Sequence, residues 1–250
     1  MGAGDRAEVE GSFRAPPALA LVFDRPVRYA DGVRVQEALV AARQAGAIAD
    51  TVLFLEHRPV ITLGRRGRDQ FLLATPAALA ERGVDLVQSS RGGDVTYHGP
   101  GQLVMYPILK LGTAEADSHG YLQNLEEIAI RTAASFGVEA FRREGMNGAW
   151  TSSGKLAAIG FHLRRWVTMH GMSFNVDLDL AGFALIVGCG LVGERVTSLR
   201  ALLGDAVPSR AAVREAMMGH FSAVCGRPLE AHRVGPSLPE PLRGLVDTAL

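Results

Sequence analysis

Short apolar runs bounded by turn residues recur along the chain and predict a protein richer in strands than in helices. The longer predicted strands are Leu19–Phe23, Thr51–Leu55, Val60–Gly64, Leu103–Pro107, Leu156–Leu163 and Met172–Val176. Shorter ones are predicted at Val84–Val87, Asp94–Tyr97, Glu139–Phe141 and Ala149–Thr151. Helical spacing or capping residues predict helices at Val27–Ala45, Pro76–Arg82, Tyr121–Phe136 and Ser209–Val224. Strands that adjoin through short turns favour a mixed α+β (mixed α/β) domain over a doubly wound one.

The two ends of the chain differ in pattern from its middle. Residues 1–18 combine Gly, Ala and charge with two prolines, which is typical of a flexible N-terminal arm. Residues 228–250 contain four prolines and are expected to form a C-terminal tail, a loop and packing arm. The length of 250 residues and the absence of an internal repeat or linker predict one domain, over residues 19–227.

Charge and cysteine usage narrow the functional class. The chain has 26 acidic residues against 26 Lys plus Arg, so its net charge gives no support to nucleic-acid binding. Its two cysteines follow no metal-ligand spacing, and no metal, cofactor or disulfide is expected. The sequence has no run long enough for a membrane span and no signal-peptide pattern, so we expect a cytoplasmic protein that does not bind membranes.

One stretch, residues 91–107, has an unusual composition for a structural hairpin. Arg91-Gly92-Gly93 and His98-Gly99-Pro100-Gly101-Gln102 are two glycine-rich turns around a short β run. Glycine lets a backbone approach a ligand closely, while arginine, histidine and glutamine add polar groups beside it. A single histidine here would more often be a satisfied core residue, but the whole stretch predicts the wall of a binding site.

Three further positions are candidates for chemistry. Lys155 is one of only two lysines and stands at the start of a predicted strand between small residues. Cys189 stands between two glycines, which leaves its thiol accessible, whereas Cys225 follows an apolar helical pattern and is expected to be structural. A nearby ammonium would favour the Cys189 thiolate, so Lys155 is one possible partner. A Cys–His pair with His98 or His170 is the other.

These motifs together resemble those of the lipoyl(octanoyl) transferases, in the same order along the chain. The matching segments run from Glu56-His57-Arg58-Pro59 through Arg91–Gln102, Gly154–Gly160 and His170–Asn175 to Cys189-Gly190. The family transfers octanoate from acyl carrier protein to the lipoyl domains of 2-oxoacid dehydrogenases and of the glycine cleavage H protein. Its fold is the catalytic fold shared with biotin and lipoate protein ligases. Gly188 departs from the proline expected before the cysteine, which suggests a looser loop.

The resemblance implies a role for each motif. Cys189 corresponds to the nucleophile that carries the acyl group as a thioester, and Lys155 to the residue that lowers its pKa. The implied substrate-binding residues are Arg91, Gly92, Gly93, Asp94, Val95, Thr96, Tyr97, His98, Ala158, Ile159, Gly160, Gly171, Met172 and Ser173. We hypothesise that backbone N–H groups around Cys189-Gly190 or around Lys155 form an oxyanion hole.

The implied partners are octanoyl-acyl carrier protein as donor and lipoyl domains as acceptors, with the enzyme itself a monomer. Carrier proteins and lipoyl domains are generally acidic. Three arginine groups are candidate docking sites: Arg65-Arg66-Arg68, Arg142-Arg143 and Arg164-Arg165. Two alternatives stay open, an ATP-dependent lipoate or biotin ligase of the same fold and a non-catalytic acyl-binding protein. A cysteine between glycines argues against the ligase, and an intact lysine and cysteine argue against the binding protein.

Overall fold

The computed structural model describes residues 17–67, 69–187 and 195–250. The strands are β1 (Ala18–Val22), β2 (Thr51–Leu55), β3 (Val60–Leu63), β4 (Asp85–Gln88), β5 (Val95–His98), β6 (Gln102–Ile108), β7 (Phe141–Arg143), β8 (Met146–Thr151), β9 (Gly154–Arg164), β10 (Val167–Asn175) and β11 (Leu229–Arg233). The helices are α1 (Tyr29–Gln44), α2 (Pro76–Glu81), α3 (Ser118–Ala134), α4 (Leu199–Leu203), α5 (Arg210–Cys225) and α6 (Leu242–Ala249). The mixed α/β prediction is confirmed.

The strands form one large and one small sheet. The large sheet has the order β11-β1-β2-β6-β10-β9-β8-β7, and the small one has the order β4-β3-β5. Only the pairs β11–β1, β1–β2 and β3–β4 are parallel, and the other pairs are antiparallel. The mixture excludes a doubly wound sheet, in which the paired strands would be largely parallel.

Helices cover both faces of the large sheet and bury its apolar side chains. On one face, α3 and α5 pack through Leu125 and Phe221 against sheet residues such as Phe54. On the other face, α1 and α6 pack through Leu39 and Val246 against the sheet. A third apolar cluster fills the space behind the small sheet. The large sheet is therefore a rigid, buried platform, and its β9–β10 hairpin is the part that meets the small sheet.

Local signals placed several element ends well. The Thr75 side chain accepts a hydrogen bond from the N–H of Ala78 at 3.2 Å and caps α2, as expected for Thr before Pro. Ser209 caps α5 in the same way. The turn predicted at residues 152–154 joins β8 to β9 and sets Lys155 at the start of β9.

Two predictions about elements are wrong. The expected loop after Pro228 instead forms β11, the edge strand that pairs with β1, and the amphipathic helix α6, whose Leu242 and Val246 are buried. The strand predicted to begin at Met172 begins at Val167. β11 pairs with a strand at the other end of the chain, so no local pattern indicates it. The first residues of β10 pair with the end of β9 through a tight hairpin at Arg164 to Val167. Within the described ranges, no helix has the length and apolar character needed to cross a bilayer.

Candidate active site

A cavity of about 490 Å³ lies between the β9–β10 hairpin and the glycine-rich segment that precedes and includes β5. One wall consists of cross-strand pairs: Ala158 faces Ser173, Ile159 faces Met172, and Gly160 faces Gly171. The two triplets that the resemblance singled out are thus neighbouring rungs of one antiparallel ladder. The opposite wall includes Gly93 to Thr96 and His98.

Two glycines of this hairpin are required by close backbone approach. A Cβ at Gly160 would lie 2.7 Å from the carbonyl oxygen of Gly92, and a Cβ at Gly171 would collide with the carbonyl oxygen of Met105. Absent side chains therefore let the wall loop sit on β9 and let β10 pack on β6. The glycines shape the cavity by bringing its walls together.

Arg91 organises the glycine-rich wall. Its guanidinium donates to the side chain and the carbonyl of Thr62, at 3.0 and 2.7 Å, and to the carbonyls of Gly92 and Asp94, each at 3.0 Å. Only 8% of Arg91 is exposed. These backbone contacts hold the loop in one conformation, and the charge of Arg91 acts on the nearby histidines.

Lys155 projects into the cavity from the start of β9 and is 7% exposed. Its Nζ atom lies 4.6 Å from the centre of the Trp150 ring, in cation–π geometry. Trp150 is Lys155's partner in the β8–β9 pairing, and its indole N–H donates to the carbonyl of Met146 at 3.1 Å. Trp150 thus positions the amine. The sequence signal was available, because a tight turn at residues 152–154 places these two side chains opposite each other.

The predicted nucleophile, Cys189, lies outside the described residues, but the chain beyond that segment is anchored beside Lys155. The N–H of Lys155 donates to the carbonyl of Arg195 at 2.8 Å, and the N–H of Thr197 donates to the carbonyl of Lys155 at 3.0 Å. The Lys155 N–H is therefore occupied in this structure. The hypothesis of an oxyanion hole formed by N–H groups around Cys189-Gly190 or Lys155 stays a prediction.

A relay of buried amides connects Thr197 to the cavity wall. Asn175 donates to the carbonyl of Thr197 at 2.9 Å, and Gln102 donates to the Asn175 side-chain oxygen at 2.9 Å. The side-chain oxygen of Gln102 lies 2.6 Å from Nδ1 of His98, and an amide oxygen can only accept a hydrogen bond. This order makes Nδ1 of His98 the protonated nitrogen of its neutral ring. Its Nε2 is then an acceptor, and it has no hydrogen-bond partner within the described part of the chain.

Three buried histidines adjoin the cavity, and all are held neutral. Burial lowers the pKa of His57 to about 4, against a weaker opposing effect of its bond to Val27. Burial, then the charges of Arg91, His162 and His57, lower the pKa of His170 to about 3. Burial is also the largest cause of the strongly lowered pKa of His98. A histidine with so low a pKa is a poor general base at neutral pH, which disfavours the Cys–His alternative.

Framework residues that the sequence did not indicate hold this cluster. The hydroxyl of Tyr106 donates to Nε2 of His57 at 2.8 Å, since the other ring nitrogen of His57 donates to the carbonyl of Val27. Gln36 of α1 accepts from the N–H of His170 at 2.7 Å, where the backbone has a φ of 59°. These partners come from distant elements, so only the tertiary structure reveals them.

Most of the predicted site residues line this one cavity. They are Arg91, Gly93, Asp94, Val95, Thr96, His98, Lys155, Ala158, Ile159, Gly160, Gly171, Met172 and Ser173. Gly92 lines an adjoining groove instead. Tyr97 does not line the cavity, because its ring packs behind the small sheet against Phe183 at a centroid distance of 5.7 Å. Phe71, Met146 and Asn147 line the cavity without having been predicted.

Comparison with known proteins places the chain in a family. Residues 28–222 match the model of the lipoyl protein ligase A/B catalytic domain. The octanoyltransferase of Syntrophotalea carbinolica is 48% identical over 78% of this chain and 89% of its own length. That of Chloroflexus aggregans is 46% identical over 82% and 94%. A solved lipoate-protein ligase A bound with ATP is only 16% identical but has a TM-score of 0.74 over 93% of both chains, which confirms the lipoate-ligase fold.

Proposed function

The chain belongs to the octanoyltransferases of the lipoyl protein ligase A/B catalytic-domain family, and we propose that it moves an octanoyl group from octanoyl-acyl carrier protein to a lysine of a lipoyl domain. The observation that carries the proposal is the placement of Lys155. Its buried amine lies in the same cavity as the hydrophobic hairpin wall, and its backbone pairs with the chain that follows the Cys189 segment. The apolar wall, the amine and the chain that follows the predicted nucleophile's segment thus lie together.

In the first step, the Cys189 thiolate attacks the carbonyl carbon of the octanoyl thioester. The S–C bond to Cys189 forms, the bond to the donor sulfur breaks, and the leaving carrier thiolate takes a proton from the Lys155 ammonium, which leaves the Lys155 amine neutral for the second step. One thioester replaces another, so the step needs no external energy source. A positive charge at the Lys155 side chain favours the reactive thiolate over the thiol.

In the second step, the acceptor lysine attacks the acyl-enzyme. Its amine must be uncharged to attack, and we propose that Lys155 takes the proton that the amine loses. The C–N bond forms, the C–S bond to Cys189 breaks, and the thiolate is regenerated. The greater stability of an amide than of a thioester drives the transfer.

The cavity supplies selectivity for a medium-length chain. Val95, Ile159 and Met172 provide apolar lining beside the backbone of the glycine-rich wall. Burying each CH₂ contributes about 0.8 kcal/mol, which amounts to several kcal/mol for an eight-carbon chain and favours octanoyl over acetyl. The lipoyl domains of 2-oxoacid dehydrogenases and of the glycine cleavage H protein are the proposed acceptors, acted on by a monomeric enzyme in the cytoplasm.

Intact-mass measurement after incubation with octanoyl-acyl carrier protein, without ATP, tests this mechanism. We expect the wild type to gain one octanoyl group that hydroxylamine removes. Cys189→Ser should lose this thioester, and Lys155→Ala should form it at least about a hundredfold more slowly. The matched controls are Cys225→Ser and Lys110→Ala. Cys225 has a thiol whose pKa burial raises to about 12, and Lys110 is an exposed lysine that donates to the carbonyl of Arg165.

Two outcomes would overturn the proposal. Transfer that occurs only with free octanoate and ATP would identify a ligase. No adduct and no transfer under either condition would identify a binding protein. An adduct that survives in Cys189→Ser but disappears in Cys225→Ser would move the nucleophile to the other cysteine.

A further inference from the structure

A second cavity, of about 570 Å³, continues from the first along β9 and opens towards the end of that strand. The two share Gly93, Asn147, Ile159 and Gly160 as common walls, together with Arg66. We call this second cavity the arginine groove. It extends the acyl cavity in the direction away from Lys155, as far as His162 and Leu163. Seven residues of strand separate Lys155 from His162, a distance of roughly 23 Å.

The arginine groove has a positive character. Among the residues that line it in the described chain, Arg65 and Arg66 are the charged ones, and none is a carboxylate. The Arg66 side chain is 74% exposed, and its guanidinium lies 3.7 Å from Asp94, beyond hydrogen-bond distance. After burial, the charges of Arg65 and Arg164 are the causes that lower the pKa of His162. The groove therefore favours an anion at this end.

The backbone that carries the two arginines is fixed to the acyl cavity. The N–H of Arg65 donates to the carbonyl of Arg91 at 3.1 Å, and that of Arg66 donates to the carbonyl of Gly93 at 3.2 Å. The N–H of Gly92 in turn donates to the carbonyl of Phe161 on β9 at 3.0 Å. Arg65 and Arg66 are therefore held at a fixed distance from the acyl cavity. The groove can thus select a ligand by the length between a thioester at one end and a negative charge at the other.

We propose that the arginine groove binds the 4′-phosphopantetheine arm on which an acyl carrier protein presents its acyl group, with Arg65 and Arg66 contacting the phosphate. This assignment rests on the proposed function. The arm is a linear chain with a thioester at one end, two amides along its length and a phosphate at the other end. Asn147 and Ser118 offer polar groups along the groove for the amides. The other two arginine groups fit less well. Arg142 is already paired with Glu126 and Glu127, and Arg164 and Arg165 do not line the groove.

Paired donors test the assignment. Octanoyl-4′-phosphopantetheine and octanoyl-pantetheine differ only in the phosphate, and the readout is the ratio of their kcat/KM values with one lipoyl-domain acceptor. We expect the wild type to prefer the phosphorylated donor. Arg65→Gln and Arg66→Gln should each lower the ratio by about threefold, and the double variant by about tenfold. Replacing both arginines with lysine should restore part of the ratio, because the charge is kept.

Arg233→Gln is the matched control. The Arg233 side chain is 75% exposed and pairs with Asp24 at 2.9 Å, far from the groove. The kcat/KM ratio of the Arg233→Gln variant should therefore equal that of the wild type. A double variant with an unchanged ratio would overturn the assignment, as would an equal fall in Arg233→Gln.

A binding titration separates this assignment from the proposed function. The affinities of unacylated 4′-phosphopantetheine and pantetheine are compared by calorimetry in the wild type and in the double glutamine variant. If the wild type transfers octanoyl from neither small thioester nor octanoyl-acyl carrier protein, the proposed function fails. The groove assignment still stands if the phosphate strengthens binding and the double variant loses that gain, and it fails if the two ligands bind equally.

Discussion

Two clusters of polar side chains lie at the two ends of β2, where Asp50 precedes the strand and His57 follows it, and they are built on opposite principles. The first, around Arg227, consists of charges that pair with one another. The second, around His57, His98 and His170, consists of neutral rings that burial keeps uncharged. Arg227 and the three histidines are all buried, but only the histidine cluster adjoins the candidate active site.

In the Arg227 cluster, guanidinium groups donate hydrogen bonds to carboxylates. Arg227 donates to Asp50 at 2.9 Å and to Glu115 at 2.7 Å. Burial alone would lower the pKa of Arg227, but its hydrogen bonds and charge contacts with Glu115 and Asp50 raise the pKa overall. Asp50 also accepts from Arg43 and from the N–H of Lys110, so this cluster joins three distant segments, at residues 43–50, 110–115 and 227. Its role is to hold α1, α5 and the sheet edge together.

The histidine cluster leaves polar atoms without partners. Nε2 of His98 and Nδ1 of His170 are buried and have no hydrogen-bond partner within the described residues. Leaving a buried polar atom unpaired costs about 1 to 3 kcal/mol. A structural cluster can avoid that cost by pairing, as the Arg227 cluster does. In the described chain, unpaired buried atoms also occur away from the cavity, at Tyr121 and Arg214, so the two histidine nitrogens point to a ligand site because they line the cavity as well as lacking a partner.

The largest expected effect is the loss of free energy of unfolding that the histidine cluster causes when the pH is lowered. A histidine whose folded pKa lies below its unfolded value of about 6.5 loses stability as pH falls through that value, because only the unfolded chain then takes up the proton. The loss continues down to the folded pKa, about 4 for His57 and about 3 for His170. With His98, three protons give a loss of up to roughly 4 kcal/mol per pH unit below about pH 6.

Denaturant unfolding between pH 7.5 and 4.5 measures this loss. The window lies above the range in which Glu115 titrates, since the Arg227 hydrogen bond lowers its pKa. His162 and His220 are less buried and should add less. A free energy of unfolding that stays constant from pH 7 to pH 5 would contradict the histidine assignment.

The next largest effect is expected from breaking the charged cluster. Arg227→Met removes one of the two arginines that pair with Asp50. We expect a loss of about 3 kcal/mol in the free energy of unfolding. Arg233→Met, which breaks an exposed pair with Asp24, should cost under about 1 kcal/mol. Octanoyl transfer by Arg227→Met, measured well below its melting temperature, should match the wild type. A large loss of activity in the folded variant would argue against a purely structural role.

A variant in the amide relay is expected to lower stability less than Arg227→Met does, and to lower activity more. Asn175→Leu removes the donor to Thr197 and the acceptor from Gln102, at a cost of about 2 kcal/mol. Because Thr197 holds the chain after the Cys189 segment beside Lys155, we expect the transfer rate to fall about tenfold. Melting temperature and kcat, measured together for Asn175→Leu and Arg227→Met, check the contrast. Equal activity in the two variants would remove the proposed distinction.

The sequence by itself determined the class of the fold, most of the elements and most residues of the cavity wall. Thr75 and Ser209 cap helices through contacts three residues away, and the turn before Lys155 pairs neighbouring strands. Such signals are local, so a pattern along the chain contains them. The motifs that resemble a known family placed Lys155 and the two hairpin triplets in one cavity for the same reason, because they sit on adjacent strands.

Only the tertiary structure decided which polar groups meet. Gln36 reaches His170 across 134 positions, Arg227 reaches Asp50 across 177, and β11 completes the sheet beside β1 at the far end of the chain. These contacts depend on how whole elements pack, and the free energy of each depends on burial that no single segment creates. That is why the cavity wall could be predicted from residues 91–107 and 154–173, while the neutral histidines behind it, and the tail that proved to be strand and helix, could not.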